Sequence, residues 1–327
     1  LSLVTTKVPL DRAPGLPGLD QSAADRGRQL KLITCFAAIY LVWGSSYLAM
    51  RIGVQHLSPT LFAGVRFVLA GALLAGFAAL RGARLPQGAR EWKHVLVMGV
   101  LTVLISNGIN NWAIQWVPSN QAALLNATSA FFIAGLGTFG PRGHALSTRS
   151  QVGLVIGFVG AALILWPRSG FTFEALGPQL TILVACLSWA AGTLYYRSVK
   201  VQTDALMFTA LQMLTGGVMI VAAGAVTRSL GTWEWSLPGV GTLLYLTFFS
   251  SCLAYTAYAW LMVNTTPDRL ATYSYVNPAV AAVLGWLVLG EHLSGLQLIG
   301  MVVILAGVML LTLGSRLPAW LRSSGSR

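Results

Sequence analysis

Residues 31–51 read KLITCFAAIYLVWGSSYLAMR, and residues 181–197 read TILVACLSWAAGTLYYR. Both are apolar runs that end on an arginine. An offset of 146 residues superposes them, placing Trp43 on Trp189 and Arg51 on Arg197. The same offset continues through Phe62 on Phe208, Gly71 on Gly217 and Ala113 on Ala259. After small gaps the match resumes, with Ala123 on Ala271, Gly153 on Gly300 and Gly160 on Gly307. Chance pairings of Gly and Ala are common in apolar sequence, so the Trp, Arg and Phe pairs carry the weight. The chain is therefore read as a duplication.

Each copy is built from runs long enough to cross about 30 Å of hydrocarbon, which takes roughly 20 residues at about 1.5 Å rise. Hydropathy and breaker residues predict ten spans near 31–50, 60–80, 95–114, 119–140, 151–167, 178–196, 205–226, 239–262, 268–289 and 296–314. Composition agrees: 55% of residues are hydrophobic, 9% are charged, and the mean hydropathy is +0.70. A soluble domain needs far less apolar surface to close a core. The expected fold class is an all-α integral membrane protein.

The net charge of +12 belongs to the loops between spans. It forms no basic face and no aromatic-interleaved patch, so nucleic acid is not an expected partner. With the N-terminus in the cytoplasm, 17 of the 21 Lys and Arg fall on the cytoplasmic side and only Arg51, Arg168 and Arg228 outside; Arg66 lies within a span. That bias sets ten spans and two cytoplasmic termini. Five helices per copy is an odd number, so the second copy is inverted in the bilayer. The expected divisions are a flexible tail over 1–29, repeats over 30–168 and 177–315, and a tail over 316–327. Residues 1–29 are rich in Pro, Gly and charge and lack the apolar core of a signal peptide. Leu1 in place of Met is expected to reflect an unusual start codon or a trimmed chain.

The runs Trp43-Gly44-Ser45-Ser46-Tyr47 and Gly64-Val65-Arg66-Phe67, then Asn277-Pro278 and Gly290-Glu291-His292-Leu293, resemble the drug/metabolite transporter superfamily in its EamA-type ten-helix form. The resemblance spans 31 to about 315. It implies a multi-pass exporter in a bacterial inner membrane, acting on metabolites, amino acids or toxic compounds by alternating access. The first copy departs from it at Ala130 and at Arg142-Gly143-His144, where the second has Pro278 and Gly290-Glu291.

Arg66 is the cation placed well inside a span, where Arg costs about 3 kcal/mol on insertion scales and must face protein or water. It is either the anchor for a carboxylate or phosphate or a structural Arg bonded to helix-end carbonyls. Trp43, Arg66, Asn107 and Asn126 share one depth and are expected to form an outer polar layer. Asn107, Asn111 and Gln115 follow an i, i+4, i+8 stripe that suits a hydrated cavity. The repeat then predicts an inner layer holding Trp189, Gln212 and Ser274, with Tyr255, Tyr258, Tyr273, Tyr275 and Asn277 lining the cavity between. Tyr and Trp also pack between helices or anchor at interfaces, which is the ordinary alternative for each. Pro278 is expected to break its helix.

All nine acidic residues fall in tails, loops or span edges, so no carboxylate relay for protons is expected and facilitated diffusion or exchange is favoured. Glu291 is assigned a loop-edge role beside His292. His56, His94, His144 and His292 lie at loops or helix ends, and Cys35, Cys186 and Cys252 are scattered through three spans. No metal set, cofactor or catalytic residue is expected, which weighs against the rival readings of an intramembrane enzyme and, lacking a filter motif, a passive channel. The Gly153 and Gly157 step, continued by Ala161, predicts close helix packing. The expected partners are a small-molecule substrate and the lipid bilayer, with the chain a monomer or weak homodimer.

Overall fold

The computed structural model describes residues 17–139, 146–166, 173–226, 235–265, 270 and 272–314. Arg142, Gly143, His144, Arg168, Arg228 and Ala271 lie outside the described residues, as do the ends of both tails. Among the described residues every regular element is helical. Seven helical stretches are long and apolar enough to cross a membrane, and two shorter apolar ones, at 273–289 and 295–311, accompany them.

The first helix, α1, runs Pro17–His56. It begins well before Lys31, so residues 17–29, expected as part of a flexible tail, are helical. Pro17 sits where a proline's missing N–H is harmless, and no further proline follows before the apolar run. Helix α2 spans Pro59–Leu80, again with Pro at its start. Helix α3, Gly88–Met98, continues through a π-helical segment at Gly99–Asn107 into α4, Gly108–Ala113. The expected span at 119–140 is interrupted: α5 covers Ser119–Asn126 and α6 Ser129–Leu136. Helix α7 is Thr148–Leu165, α8 is Phe173–Ser198 and α9 is Ala205–Val226. Helix α10, Leu237–Tyr245, passes through a second π segment, Leu246–Ala254, into α11, Tyr255–Asn264. Helices α12, Tyr273–Leu289, and α13, Gly295–Gly314, complete the described chain. Pro278 does not break α12 as expected. It lies early in the helix, and the interruption falls in the first half instead, between Asn126 and Ser129.

The duplication is visible in the backbone. Both π segments are nine residues long and occupy matching places in the two halves. Glycine seams carry the symmetry further. A Cβ added at Gly71 would lie 2.8 Å from the Ala210 carbonyl oxygen, and one at Gly217 would lie 3.1 Å from that of Gly64. These two contacts exchange under the 146-residue offset. Likewise Gly153 meets the Gly307 carbonyl at 2.8 Å and Gly160 meets that of Gly300 at 3.0 Å, contacts that exchange under an offset of 147. In each seam the residue numbers rise on one helix as they fall on the other. Equivalent helices α2 and α9, and α7 and α13, therefore cross antiparallel, the geometry of inverted halves.

Phe62, Phe67, Phe131 and Phe208 are fully buried between helices. Leu41, Phe77, Leu253, Trp286 and Val302 are more than 40% exposed, which makes an apolar outer belt suited to lipid rather than water. Gly153 and Gly157 pack within the chain as expected, against α13 and the Phe131 ring.

Candidate functional site

Both halves wall one central cavity of about 110 Å³, room for several waters. Helix α1 lines it with Trp43, Ser46, Tyr47 and Met50, spaced i, i+3, i+4, i+7 as one helical face. Arg66 enters from α2, Ser106 and Asn107 from the first π segment, and Asn110 from α4. Asn126 and Ser129 flank the interruption between α5 and α6. Trp189 comes from α8, Ser250 from the second π segment, Tyr255 from α11, and Tyr273 and Asn277 from α12. The four residues expected at one depth, Trp43, Arg66, Asn107 and Asn126, thus share this cavity.

The π segments explain part of the lining. Their widened turns leave carbonyls available to side-chain donors, and π-bulges gather at functional sites. Trp43 Nε1 donates to the Ser250 carbonyl at 3.3 Å, and Ser188 Oγ donates to that of Leu101 at 2.7 Å. Asn107 Nδ2 donates to the Thr102 carbonyl at 2.7 Å, five residues back, and to the Tyr255 hydroxyl at 3.4 Å.

Arg66 is 2% exposed, and its Nε and Nη1 have no acceptor among the described residues. Its guanidinium lies over the Phe67 ring, 4.3 Å from the centroid, a cation–π arrangement. Asn110 and Asn126 form a reciprocal amide pair at 3.3 and 3.2 Å. Asn277 Oδ1 is buried without a donor. Trp43 packs edge-on against Tyr255 and Tyr273 at 5.4 and 5.5 Å and tilted against Tyr258 at 5.1 Å. The result is a cationic, amide-rich cavity with an aromatic wall.

A second cavity of about 120 Å³ is lined by Thr102, Tyr196, Arg197, Gln212 and Tyr258, among others, and shares Trp189 and Tyr255 with the first. Those two rings stand 6.2 Å apart, so they divide the chambers. Gln212, buried with Oε1 unpaired, belongs to this second chamber with Trp189.

Four expected lining residues lie elsewhere. Asn111 is fully buried, and its Nδ2 donates to the Asn107 carbonyl in its own helix at 2.9 Å. Gln115 lies past the end of α4, where its Nε2 donates to the Trp112 carbonyl at 2.8 Å. The stripe fails because the helix stops at Ala113 and the cavity-facing position is Asn110, three residues after Asn107. Tyr275 packs against the apolar core, and the buried Ser274 lines neither cavity. Arg51, the repeat mate of Arg197, donates Nη1 to the carbonyls of Ile114, at 2.6 Å, and Gln115.

Sequence reasoning missed Ser46, Tyr47, Met50, Ser106, Asn110, Ser129 and Ser250. The signal was present for most: each of the first six lies on a helix beside a residue already singled out, at helical or adjacent spacing. Glu291 also differs from expectation. Gly290 has φ of 63°, a left-handed helix end, and the Glu291 N–H returns to the Gly285 carbonyl at 3.0 Å. That turn aims the carboxylate at the start of α5, where it accepts from Ser119 N at 2.8 Å, Ser119 Oγ at 2.7 Å and Asn120 N at 3.1 Å. Its partners are therefore a helix N-terminus of the other half, which favours negative charge, rather than His292. Glu91 likewise joins the halves, accepting from the Gln202 and Thr203 backbone and from Thr203 Oγ1 at 2.9 Å.

Two like halves crossing antiparallel around a polar cavity, inside an apolar belt, define a membrane transporter. The EamA-like transporter family matches residues 30–166 and again 177–313, and the chain belongs to that family. It is 36% identical over 296 residues to "Uncharacterized inner membrane transporter YedA" of Escherichia coli, covering 89% of this chain and 94% of that one. It is 26% identical to "Uncharacterized transporter YvbV" of Bacillus subtilis, covering 86% and 91%. It is 25% identical to "Probable amino-acid metabolite efflux pump" of Salmonella typhimurium, covering 88% and 96%. A solved crystal structure shares the fold, with TM-score 0.62 and 20% identity over 88% of this chain and 98% of that one. The expected multi-pass inner-membrane transporter of the EamA type stands.

Proposed function

We propose that the chain is a secondary transporter that exports small solutes by alternating access through the central cavity. The observation that carries this reading is a polar cavity walled by both halves and holding a buried arginine. In this scheme the interrupted stretch 119–136 and the two shorter helices complete ten spans with both termini cytoplasmic. The glycine seams hold the halves together while they rock. Trp43 and Arg66 close the outer side, and Trp189 and Gln212 close the inner side.

Export rather than uptake rests on the family resemblance and on the efflux named for the Salmonella relative. Amino acids and related metabolites are the first candidates, with drugs the second. The reading of transport rather than catalysis rests on the family match. Glu91 and Glu291 are engaged by backbone N–H groups at the ends of the bundle. That favours exchange or facilitated diffusion over a proton relay. Liposomes containing the purified chain, assayed with labelled amino acids and cationic dyes, test the reading. Saturable flux of at least one of these solutes that falls with Arg66→Ala and Asn107→Ala and survives a protonophore is expected; flux unchanged in both variants removes the site.

A further inference from the structure

Resting on the transporter reading and narrowing its candidates from zwitterionic amino acids and cationic drugs to singly charged acids, we propose that the cargo is an organic monoanion whose carboxylate docks on Arg66, and that the cavity rejects cations. A guanidinium stays protonated even when buried, and a buried unpaired charge is unfavourable unless something neutralises it. Water can solvate Arg66 but cannot neutralise it. Among the described residues no carboxylate neutralises it either. Glu91, Asp204 and Glu291 are engaged by backbone N–H groups elsewhere, and the sequence places no acid inside a span. Arg66 Nε and Nη1, buried and without acceptors among the described residues, each belong to one of the two forks of the guanidinium, Nε with Nη2 and Nη1 with Nη2, and either fork matches the two oxygens of a carboxylate.

The rest of the lining fixes the kind of anion. Among the described residues no second cation lines the central cavity, so a dianionic phosphate would be left half compensated there, whereas a carboxylate balances Arg66 one to one. The Trp43 cluster gives an apolar body a wall to lie against. Asn277 Oδ1, an orphaned acceptor, takes one hydrogen-bond donor from the solute. Arg197 lines the adjoining chamber and adds positive potential along the approach, which concentrates anions and repels cations.

The test uses the full chain in nanodiscs and four probes sharing one aromatic body: 3-phenylpropionate, its amide, 3-phenylpropylammonium and 2-phenylethyl phosphate. Binding is read by quenching of tryptophan fluorescence. The carboxylate is expected to bind at least about tenfold more tightly than the amide or the ammonium, the scale of a charge-assisted bond. In Arg66→Gln that preference disappears while amide binding stays within about twofold, and in Arg66→Lys it is partly kept, as loss of the fork but not the charge requires. Ammonium binding as tight as carboxylate, phosphate binding tightest, equal weakening of all probes by Arg66→Gln, or no binding by any probe overturns the proposal. If Arg66→Gln does not fold, the ranking on the native chain decides alone. Uptake of the same labelled probes into liposomes separates the two levels. Equal flux of cation and anion sinks only the charge assignment, whereas flux of none sinks the transporter reading beneath it.

Discussion

The glycine seams and the cavity lining meet opposite physical demands. At the seams the two halves remain near copies: Gly71 on Ala210 is the image of Gly217 on Gly64, and Gly153 on Gly307 is the image of Gly300 on Gly160. In the cavity they keep one matched pair, Trp43 and Trp189, and differ at the charged position. Arg66 in α2 lines the central chamber, while its repeat mate Gln212 in α9 is neutral and lines the other chamber. Packing that joins two inverted halves works only where backbones approach closely, and both halves supply the same small residues for it. A site for one solute has no such need, because a molecule without two-fold symmetry is bound best by unlike walls. Symmetry therefore marks the framework and the Trp43 and Trp189 pair, and its loss at Arg66 and Gln212 marks the charged binding chemistry.

The largest effect is expected where symmetry is kept. A Cβ at Gly160 would lie 2.6 Å from the Ile304 nitrogen, and one at Gly307 would lie 2.7 Å from the Gly153 oxygen. Both neighbours are backbone and cannot step aside. Gly160→Leu and Gly307→Leu should each destabilise the bundle by about 3 kcal/mol, the upper end of ordinary overpacking costs. The yield of monodisperse protein and its thermal midpoint should fall alike for the two mates. A severe loss in one with a native profile in the other would break the claim that the seam is symmetric.

The cavity should show the reverse. Arg66→Gln is expected to lower transport by roughly 10- to 100-fold, the range set by hydrogen bonds to a charged group. Gln212→Ala, at the mate position, should lower it by no more than about threefold, since it removes a neutral amide whose Oε1 has no partner. Both proteins should be recovered in native yield. Equal transport losses would mean that the asymmetry between Arg66 and Gln212 has no functional weight.

The framework was the more legible part of the sequence, and the reason is physical. Span length, loop charge and a Trp-to-Arg spacing repeated at 146 residues are properties of sequence order alone. Helix phase through an irregular segment is not. The π segment at Gly99–Asn107 and the end of α4 at Ala113 decide that Asn110 faces the cavity while Asn111 does not. No residue in GVLTVLISN announces a widened turn. The interruption between Asn126 and Ser129 was hidden in the same way, because Ala127 and Thr128 carry no breaker signal. Pro278, which does carry one, sits early enough in α12 for the helix to run past it. The α1 face was different: Ser46, Tyr47 and Met50 could have been read from Trp43 by helical spacing alone.

The smallest effect tests whether the asymmetry extends to the ends of the bundle. Glu291 joins α12 to the start of α5, and Glu91 joins α3 to the segment before α9, so each carboxylate ties one half to the other. Replacing either by Gln keeps the shape and some of the acceptors but removes the charge. For Glu291→Gln the loss should be about 1 kcal/mol, the usual scale for a helix N-terminal cap, read as a drop of a few degrees in thermal midpoint. Ser119→Ala, which removes the 2.7 Å hydroxyl bond, should reproduce part of that drop and add little to it in the double variant. Glu91→Gln should cost less, because its backbone bonds are longer, at 3.3 Å, than the 2.8 Å bond from Ser119 N to Glu291. If Glu91→Gln proves the more damaging, the tighter tie between the halves lies at the end opposite the one that bond lengths indicate. The ranking of transport rates in the two variants would then identify which tie must open first for the cavity to change sides.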